Sequence, residues 1–454
     1  MQDVIEKIQS EKDAHVDKLK DWLRIPSVST DSNHKGDVRQ AGEFIQDELR
    51  EAGFDVEMHD TPGHPIVTAT WLGKEGGKTL LVYGHYDVQP PDPVDLWRHG
   101  PFEPVIEGSN IVARGATDDK GQALALIRGI SAYLKVRGEL PINVKFLIEG
   151  EEEIGSPNLG PFIAKHRDKL AADVVLVSDC SQFGPGQPAI TVGLKGLMYL
   201  EVEATGPNRD LHSGSFGGAV ENPGHALCRI LSSLKDDNGR VTIPGFYDDV
   251  VDLTDEERKA MAELPFDEAA YATDLGVKDL HGEEGYTTLE RTWARPTLDV
   301  NGLLCGWTGE GAKTVLPSKA MGKFSMRLVA NQDPEKIKQL VVDHLNSICP
   351  KGITLDVRPL HGAAPCLVPS SSPYLAAAKR AVAQGFGTEP VYIREGGSIP
   401  VVATFKEELG IDTILMGLGL HDDNAHSPNE KFNLEDYQRG IETVAYLLDE
   451  IAAL

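Results

Sequence analysis

The sequence is poor in cysteine and contains no long apolar run. Its five cysteines are an odd number, lie far apart and form no C-x-x-C pair, so a disulfide framework is not expected. No stretch approaches the roughly 18 apolar residues of a membrane-spanning helix, and residues 1–6 show no basic start followed by an apolar segment. Reduced thiols and the lack of a targeting segment predict a cytoplasmic protein with no membrane partner.

Basic residues are also in the minority. The 454 residues include 44 Lys plus Arg against 70 Asp plus Glu, which leaves a net charge of −26. Nucleic acid is not expected as a partner, because binding to phosphate depends on Lys and Arg. Hydrophobic residues make up 41% of the chain, which is enough to fill more than one core. The excess acid either covers a solvated surface or is partly gathered to hold metal.

Short apolar runs predict a buried sheet. They lie at 79–83, 144–148, 174–177 and 413–416. Runs of this length with little alternation are typical of parallel strands that are covered on both faces. Apolar residues at helical spacing predict a covering helix at 121–136 and two amphipathic helices within the first 55 residues. The pattern predicts a doubly wound, mainly parallel α/β domain.

The middle of the chain has a different pattern. Apolar and polar residues alternate around 200–204, 324–328 and 353–357, which is typical of antiparallel strands with one solvent-exposed face. Asn222-Pro223 and Asp333-Pro334 are typical pairs for the start of a helix. This part of the chain is therefore expected to be α+β.

The two patterns divide the chain into two predicted domains. We predict that residues 194–366 form an α+β domain with an antiparallel sheet, inserted into an α/β domain made of 1–193 and 367–454. Segment 246–290 is acidic and only loosely patterned, so we expect it to be a surface insertion.

Residue types that bind metals come after the predicted buried strands. His85 and Asp87 follow the first run, glutamates 151–153 follow the second, Asp179 follows the third, and the fourth leads to His426. In an open α/β sheet, ligands bind at the carboxyl ends of the strands. We therefore expect these segments to converge on one crevice.

Each of these features has an ordinary structural alternative. A single histidine at a strand end is more often hydrogen-bonded than metal-bound, and consecutive glutamates often begin a solvated helix. Segment 115–121, Gly-Ala-Thr-Asp-Asp-Lys-Gly, could be a capped turn. The ordinary alternatives explain the features less well in combination. A buried strand that leads into glutamates 151–153 would crowd like charges, and cations would relieve that repulsion.

The donor set favours a hydrolytic metal site. Histidines and carboxylates without thiolates suit zinc, manganese or cobalt. A carboxylate beyond those needed as ligands would be the general base for a metal-bound water. Asp87 lies two residues after His85 on an extended chain, so it projects to the same side and can accept the second imidazole N–H.

Seven segments, taken in order, resemble one known family. They are GHYDVQP at 84–90, GATDDKG at 115–121, EGEEE at 149–153, SD at 178–179, LHSG at 211–214, REGGSIP at 394–400 and AHS at 425–427. The chain resembles the carnosinase and cytosolic nonspecific dipeptidase branch of the dinuclear metallopeptidase family. That family also includes carboxypeptidase G, aminoacylase, acetylornithine deacetylase and succinyl-diaminopimelate desuccinylase.

The resemblance implies a set of metal ligands. By motif position, His85 and Asp179 would bind one divalent ion, Glu153 and His426 would bind the other, and Asp118 would bridge both. Zinc is the first expectation for both ions, with manganese or cobalt as alternatives.

The resemblance also implies the catalytic residues. Glu152 takes the position of the general base and acid, with Asp87 beside the ligand His85. The choice of Glu152 over its neighbours depends on alignment to the Glu-Glu pair of the family. In this sequence the pair is followed by one further residue and then by Gly155. We hypothesise that Glu152 generates a hydroxide held between the two metals, which attacks the peptide carbonyl. A non-proline cis peptide is implied between Asp118 and Asp119.

The remaining implied residues lie in the inserted domain and near 397. His212 resembles an oxyanion donor that acts on the opposite subunit of a dimer, and Arg327 resembles the residue that grips the terminal carboxylate of the substrate. Gly397 and Ser398 would let the backbone approach a ligand closely, and His361 would line the pocket. The inserted domain would thus be a lid that also forms a homodimer.

The predicted activity is hydrolysis of dipeptides or short peptides with a free C-terminal carboxylate. The alternative within the family is an N-acyl amino acid deacylase of the aminoacylase or desuccinylase type. From other classes, a two-metal phosphoesterase would share the histidine and aspartate inventory, and a binding protein without activity would require the loss of a ligand or of the base. All of the matched positions are filled in this sequence.

Overall fold

The computed structural model describes residues 1–369, 371–397 and 399–454. Its α-helices are α1 (Gln2–Ser10), α2 (Lys12–Leu23), α3 (Lys35–Glu51), α4 (Lys120–Arg137), α5 (Leu159–Lys165), α6 (Arg167–Leu170), α7 (Ser213–Phe216), α8 (Pro223–Ser233), α9 (Asp255–Ala262), α10 (Glu268–Asp274), α11 (Thr288–Trp293), α12 (Pro334–Ile348), α13 (Pro373–Phe386), α14 (Pro400–Leu409) and α15 (Leu434–Ala452).

The described residues also form β-strands. They are β1 (Asp55–His59), β2 (Ile66–Trp71), β3 (Thr79–His85), β4 (Val105–Glu107), β5 (Asn110–Val112), β6 (Asn143–Glu149), β7 (Val174–Val177), β8 (Ala189–Leu194), β9 (Gly196–Thr205), β10 (Leu211–His212), β11 (Thr297–Cys305), β12 (Val315–Leu316), β13 (Lys319–Leu328), β14 (Thr354–Ala363), β15 (Cys366–Leu367), β16 (Val391–Glu395), β17 (Thr413–Met416) and β18 (Lys431–Asn433).

The chain forms two compact units. The first unit comprises Met1–Val192, Val368–Ile393 and Thr404–Leu454, and the second comprises Gly193–Leu367 and Arg394–Ala403. The described residues of the REGGSIP segment (394–397, 399 and 400) therefore belong to the second unit, whereas the sequence predicted them in the catalytic domain.

The first unit is built on a sheet in the order β1-β2-β6-β3-β7-β17-β8. Its centre, β6-β3-β7-β17, is parallel, while β1, β2 and β8 pair antiparallel at its sides. The four central strands contain the apolar runs and are almost entirely buried, as expected of strands covered on both faces. The predicted mainly parallel α/β fold is confirmed.

The N-terminal prediction of two helices is wrong. The chain forms three helices, since α1 and α2 are separated at Glu11, whose backbone leaves the helical conformation at φ −104° and ψ 13°. Val4 and Ile8 before the break and Leu19 after it are all fully buried. The apolar spacing therefore continues across the break, which is why it indicated a single helix.

The second unit has an antiparallel sheet in the order β11-β13-β9-β14. Burial alternates along β9 and β13, as the sequence pattern predicted, and their buried faces pack with α8 and α12 in one apolar core. Asn222 and Asp333 cap these two helices through their side chains. The acidic segment 246–290 contains α9 and α10, and neither helix has a buried residue.

Within the described ranges, no helix combines the length and the apolar character that crossing a bilayer requires.

Candidate metal centre

The candidate metal centre lies in the first unit, where the central strands end. Strand β3 ends at His85, which is paired in register with Glu149 at the end of β6, and β7 ends two residues before Asp179. Parallel strands present their carboxyl ends at the same edge of a sheet. The fold therefore brings segments that are distant in the sequence to one place.

The predicted ligands form two groups that share one residue. His85 Nε2 lies 3.2 Å from Asp118 Oδ1 and 3.9 Å from Asp179 Oδ2. His426 Nε2 lies 2.9 Å from Asp118 Oδ2 and 3.4 Å from Glu153 Oε2. In each group of three residues, the potential ligand atoms lie within 4.8 Å of one another. Asp118 thus directs one oxygen to each group, which is the arrangement that a bridging ligand requires.

The donor set fits two divalent metal ions. It combines two imidazoles with three carboxylates and contains no thiolate, which suits borderline and hard divalent ions. Burial and the neighbouring Asp118 carboxylate raise the pKa of Glu153 to about 9. Crowded buried carboxylates of this kind are stabilised in the ionised form by cations.

Asp87 contacts the ring of His85 and fixes which of its nitrogens faces the other predicted ligands. His85 Nδ1 lies 3.1 Å from the backbone carbonyl oxygen of Asp87 and 3.4 Å from its Oδ1. Because a carbonyl only accepts hydrogen bonds, Nδ1 must be the donor, and Nε2 is left to face Asp118 and Asp179. The predicted contact therefore involves mainly the carbonyl of Asp87 and less its carboxylate.

The Asp87 carboxylate has a second role that the sequence did not suggest. Its Oδ1 accepts a hydrogen bond from Glu152 N at 3.2 Å, and its Oδ2 accepts one from Glu153 N at 3.1 Å. These bonds hold the start of the short 3-10 turn Glu152–Ile154. Asp87 thus connects a residue of one ligand group with a residue of the other.

The three consecutive glutamates have different surroundings. Glu151 is buried and accepts hydrogen bonds from His64 N at 3.0 Å and Asn158 Nδ2 at 2.8 Å, so it stabilises the local fold. Glu153 belongs to the ligand group with His426. Glu152 lies between them, and burial raises the pKa of its carboxyl. Of the three, Glu152 is the carboxylate that neither holds the fold nor belongs to a ligand group.

Asp118 lies in the turn before α4. The peptide bond between Asp118 and Asp119 is cis, as the resemblance implied. Asp119 Oδ2 accepts a hydrogen bond from His85 N at 3.1 Å, which joins this turn to the end of β3. A Cβ atom at Gly121 would lie 1.9 Å from the Ala116 carbonyl oxygen, so only glycine allows the helix to start this close to the turn.

The other predicted residues lie in the second unit. His212 ends β10 and is exposed, and its Nδ1 accepts a hydrogen bond from Gly214 N at 3.0 Å. Arg327 lies in β13, where burial lowers its pKa. His361 lies in β14 and Gly397 follows β16, and both are exposed. Ser398 lies outside the described residues.

Sequence reasoning missed a buried lysine close to some of these residues. Lys195 Nζ donates a hydrogen bond to the Arg291 carbonyl at 2.9 Å, and its backbone N donates to the Gly397 carbonyl at 3.1 Å. Burial and the Arg327 guanidinium lower the pKa of Lys195 to about 7. Lys195 thus lies near the Arg327 guanidinium and is hydrogen-bonded to the backbone of Gly397. A single lysine in the segment Gly193-Leu194-Lys195-Gly196 carries no sequence signal of such a position.

Comparison with known proteins points to the same family as the seven sequence segments. The model of peptidase family M20/M25/M40 matches residues 81–450. The chain is 34% identical to the Cys-Gly metallodipeptidase dug1 of Schizosaccharomyces pombe, over 99% of this chain and 98% of the relative. It is 33% identical to the human Beta-Ala-His dipeptidase, over 100% of this chain and 93% of the relative.

A solved structure shows the same similarity in three dimensions. The M20 family metallo-carboxypeptidase Sso-CP2 from Sulfolobus solfataricus is 36% identical, with a TM-score of 0.86 over 97% of this chain and 99% of that one. The resemblance inferred from the seven sequence segments is confirmed, and the chain belongs to peptidase family M20/M25/M40.

Proposed function

We propose that this protein is a metal-dependent dipeptidase, which hydrolyses the peptide bond of dipeptides or short peptides with a free C-terminal carboxylate. The observation that carries the proposal is the shared ligand Asp118, whose two oxygens face two separate groups of metal-binding side chains. The names of the similar fungal and human proteins, which are dipeptidases, support the substrate class.

The metal assignment follows the two groups. We propose that His85 and Asp179 hold one ion, that Glu153 and His426 hold the other, and that Asp118 binds both. Zinc is the ion we propose, with manganese or cobalt as alternatives that the same donors accept. Two divalent ions in such a site polarise a carbonyl and lower the pKa of water.

Glu152 is the proposed general base and acid. Its backbone N donates a hydrogen bond to the Asp87 carboxylate, and its half-buried side chain lies near both ligand groups. In this role Glu152 accepts a proton from the attacking water and then donates it to the amine that leaves. One carboxyl group thereby serves both halves of the hydrolysis.

Residues of the second unit are proposed to recognise the substrate. Arg327 can bind a carboxylate through two parallel hydrogen bonds, which is the role we assign to it for the free C-terminus. We assign His212 the stabilisation of the oxyanion. The backbone at Gly397 and Ser398 would approach the substrate, and His361 would line its pocket. In this proposal residues 194–366 form a lid over the catalytic domain.

We further propose a homodimer formed through the second unit. Strand β11 is an edge strand, and it exposes Val300, Leu303 and Leu304 to about half of their full surface. Exposed apolar residues on an edge strand are commonly covered by a partner.

A cytoplasmic location is proposed because the thiols of Cys228 and Cys349 are free, as in a reducing compartment.

The proposed activity is tested with metal-stripped protein and a panel of substrates. After EDTA treatment, a dipeptide should not be cleaved, and adding back zinc, manganese or cobalt should restore cleavage. The C-terminal amide of the same dipeptide should be a much poorer substrate, because Arg327 would lose its carboxylate partner. Preferential cleavage of an N-acetyl amino acid would favour the deacylase, and turnover of a phosphate monoester without amide cleavage would contradict the proposal.

The dimer and the role of His212 are tested by mixing inactive variants. His212→Ala should lower kcat about 10²- to 10³-fold with its metal content unchanged. If His212 acts on the opposite subunit, mixing His212→Ala with Glu152→Gln should restore about a quarter of the wild-type activity, because half of the dimers then contain one complete site.

The control for this experiment mixes Glu152→Gln with Asp118→Ala. Both changes lie in the same unit, so no exchange of subunits can create a complete site. Equal activities in the two mixtures would show that His212 does not act across a dimer.

A further inference from the structure

We propose that Glu430 is a positioning residue of the metal centre, which holds the segments that contain Asp118 and His426 in one arrangement. The proposal depends on the proposed role of these two residues as metal ligands. Glu430 lies four residues after His426, immediately before β18, and its side chain is fully buried. It was not among the residues that the sequence analysis selected.

Both carboxylate oxygens of Glu430 are bound by the segment that leads to Asp118. Oε1 accepts hydrogen bonds from Thr117 N at 2.9 Å and from Asp118 N at 3.1 Å. Oε2 accepts hydrogen bonds from Gly115 N at 2.9 Å and from Arg114 Nη1 at 2.8 Å. A buried carboxylate requires such partners, and here most of them are backbone N–H groups of one turn. Glu430 therefore defines the path of that turn.

A second acidic residue joins the same two segments. Asp423 Oδ2 accepts hydrogen bonds from Thr117 Oγ1 at 3.0 Å and from Leu420 N at 2.7 Å. The backbone adds a further connection, since Ala113 N donates to the Glu430 carbonyl at 3.0 Å. The segment that contains His426 is thus attached to the Asp118 turn on both sides of the histidine.

The backbone around His426 needs this attachment. Asn424, His426 and Asn429 all have φ between 56° and 62°, in the left-handed region that residues other than glycine rarely adopt. Such conformations persist only where the surroundings enforce them. Asp423 and Glu430 flank these three residues, and both bind the Asp118 turn. Their hydrogen bonds are therefore placed to hold the three residues in the left-handed conformation.

The consequence concerns both metals. Asp118 N is one of the groups bound by Glu430, and the two oxygens of Asp118 face the two ligand groups. Groups that orient metal ligands from outside the coordination sphere commonly set metal affinity. Loss of the Glu430 carboxylate would therefore be expected to weaken binding at both sites, although Glu430 itself belongs to neither group.

The test is the metal affinity of Glu430→Gln. Glutamine has the same shape, but its NH₂ group would face N–H donors, so one half of the hydrogen-bond set is lost. The metal-free variant is titrated with zinc against a chromophoric chelator, and the Kd should rise about 10- to 100-fold at both sites. Asp422→Asn is the matched control, because Asp422 lies in the same loop, is 72% exposed and contacts Lys431. Its zinc Kd should not change.

Thermal unfolding of the metal-free proteins separates positioning from a purely structural role. If Glu430→Gln lowers Tm but leaves the zinc Kd unchanged, the proposal is wrong. If Glu430→Gln does not fold, Glu430→Asp is measured instead, because it keeps the carboxylate charge but shortens its reach to the backbone N–H groups of Gly115, Thr117 and Asp118. A weaker zinc affinity in Glu430→Asp would support the proposal, and an unchanged one would overturn it. Full zinc binding by Asp118→Ala would instead overturn the ligand assignment on which the proposal depends.

Discussion

Replacing Glu152 with glutamine should lower kcat for a dipeptide by about 10²- to 10⁴-fold, the usual contribution of a general base. The substitution keeps the size of the side chain and the backbone bond from Glu152 N to the Asp87 carboxylate. Because Glu152 belongs to neither ligand group, the protein should still bind two metal ions per chain. Steady-state kinetics and metal analysis of the same sample check both statements.

The neighbouring glutamates provide matched controls. Glu153→Gln should lose metal together with activity, because Glu153 is grouped with Asp118 and His426. Glu151→Gln should mainly lower Tm, because the Glu151 carboxylate holds the buried backbone at His64. If Glu151→Gln or Glu153→Gln were the variant that keeps both metals but loses catalysis, the base would have to be reassigned.

The central sheet could be predicted because its strands carry a simple signal. The apolar runs at 79–83, 144–148, 174–177 and 413–416 have few polar residues, and a sheet covered on both faces buries runs of this kind completely. The structure places them side by side as β6-β3-β7-β17. Because ligands bind at the carboxyl ends of such strands, the order of the runs also indicated where the polar residues would converge. The distances between these residues could not be predicted in this way.

Other features of the fold and of the site could not be predicted. They depend on tertiary contacts that leave no recognisable pattern in the sequence. The periodic apolar residues at 4–23 did not reveal the break at Glu11, since burial continues on both sides of it. The backbone carbonyl of Asp87, and not its side chain, is the nearer acceptor for His85. Glu430 resembles any other acid in an acidic chain until the fold buries it against the Asp118 turn.

Replacing Asp118 with alanine should have the largest effect on the metal centre. Each ligand group would lose one of its three residues, so the affinity for both ions should fall and activity should reach background. The loss should also appear in stability. At a zinc concentration of about 100 times the wild-type Kd, each bound ion stabilises the folded protein by about 2.7 kcal/mol. Thermal unfolding with and without zinc should therefore show a large shift for the wild type and almost none for Asp118→Ala.

Asp179→Ala distinguishes a bridging residue from an ordinary ligand. Asp179 contacts His85 in one ligand group only, whereas Asp118 contacts both His85 and His426. Asp179→Ala should therefore lose mainly one ion and keep part of the zinc-dependent shift in Tm, while Asp118→Ala loses both ions. Equal zinc stoichiometries in the two variants would contradict a bridging role for Asp118. Such a result would leave two independent metal sites, and the reason for a carboxylate with one oxygen directed to each group would have to be sought elsewhere.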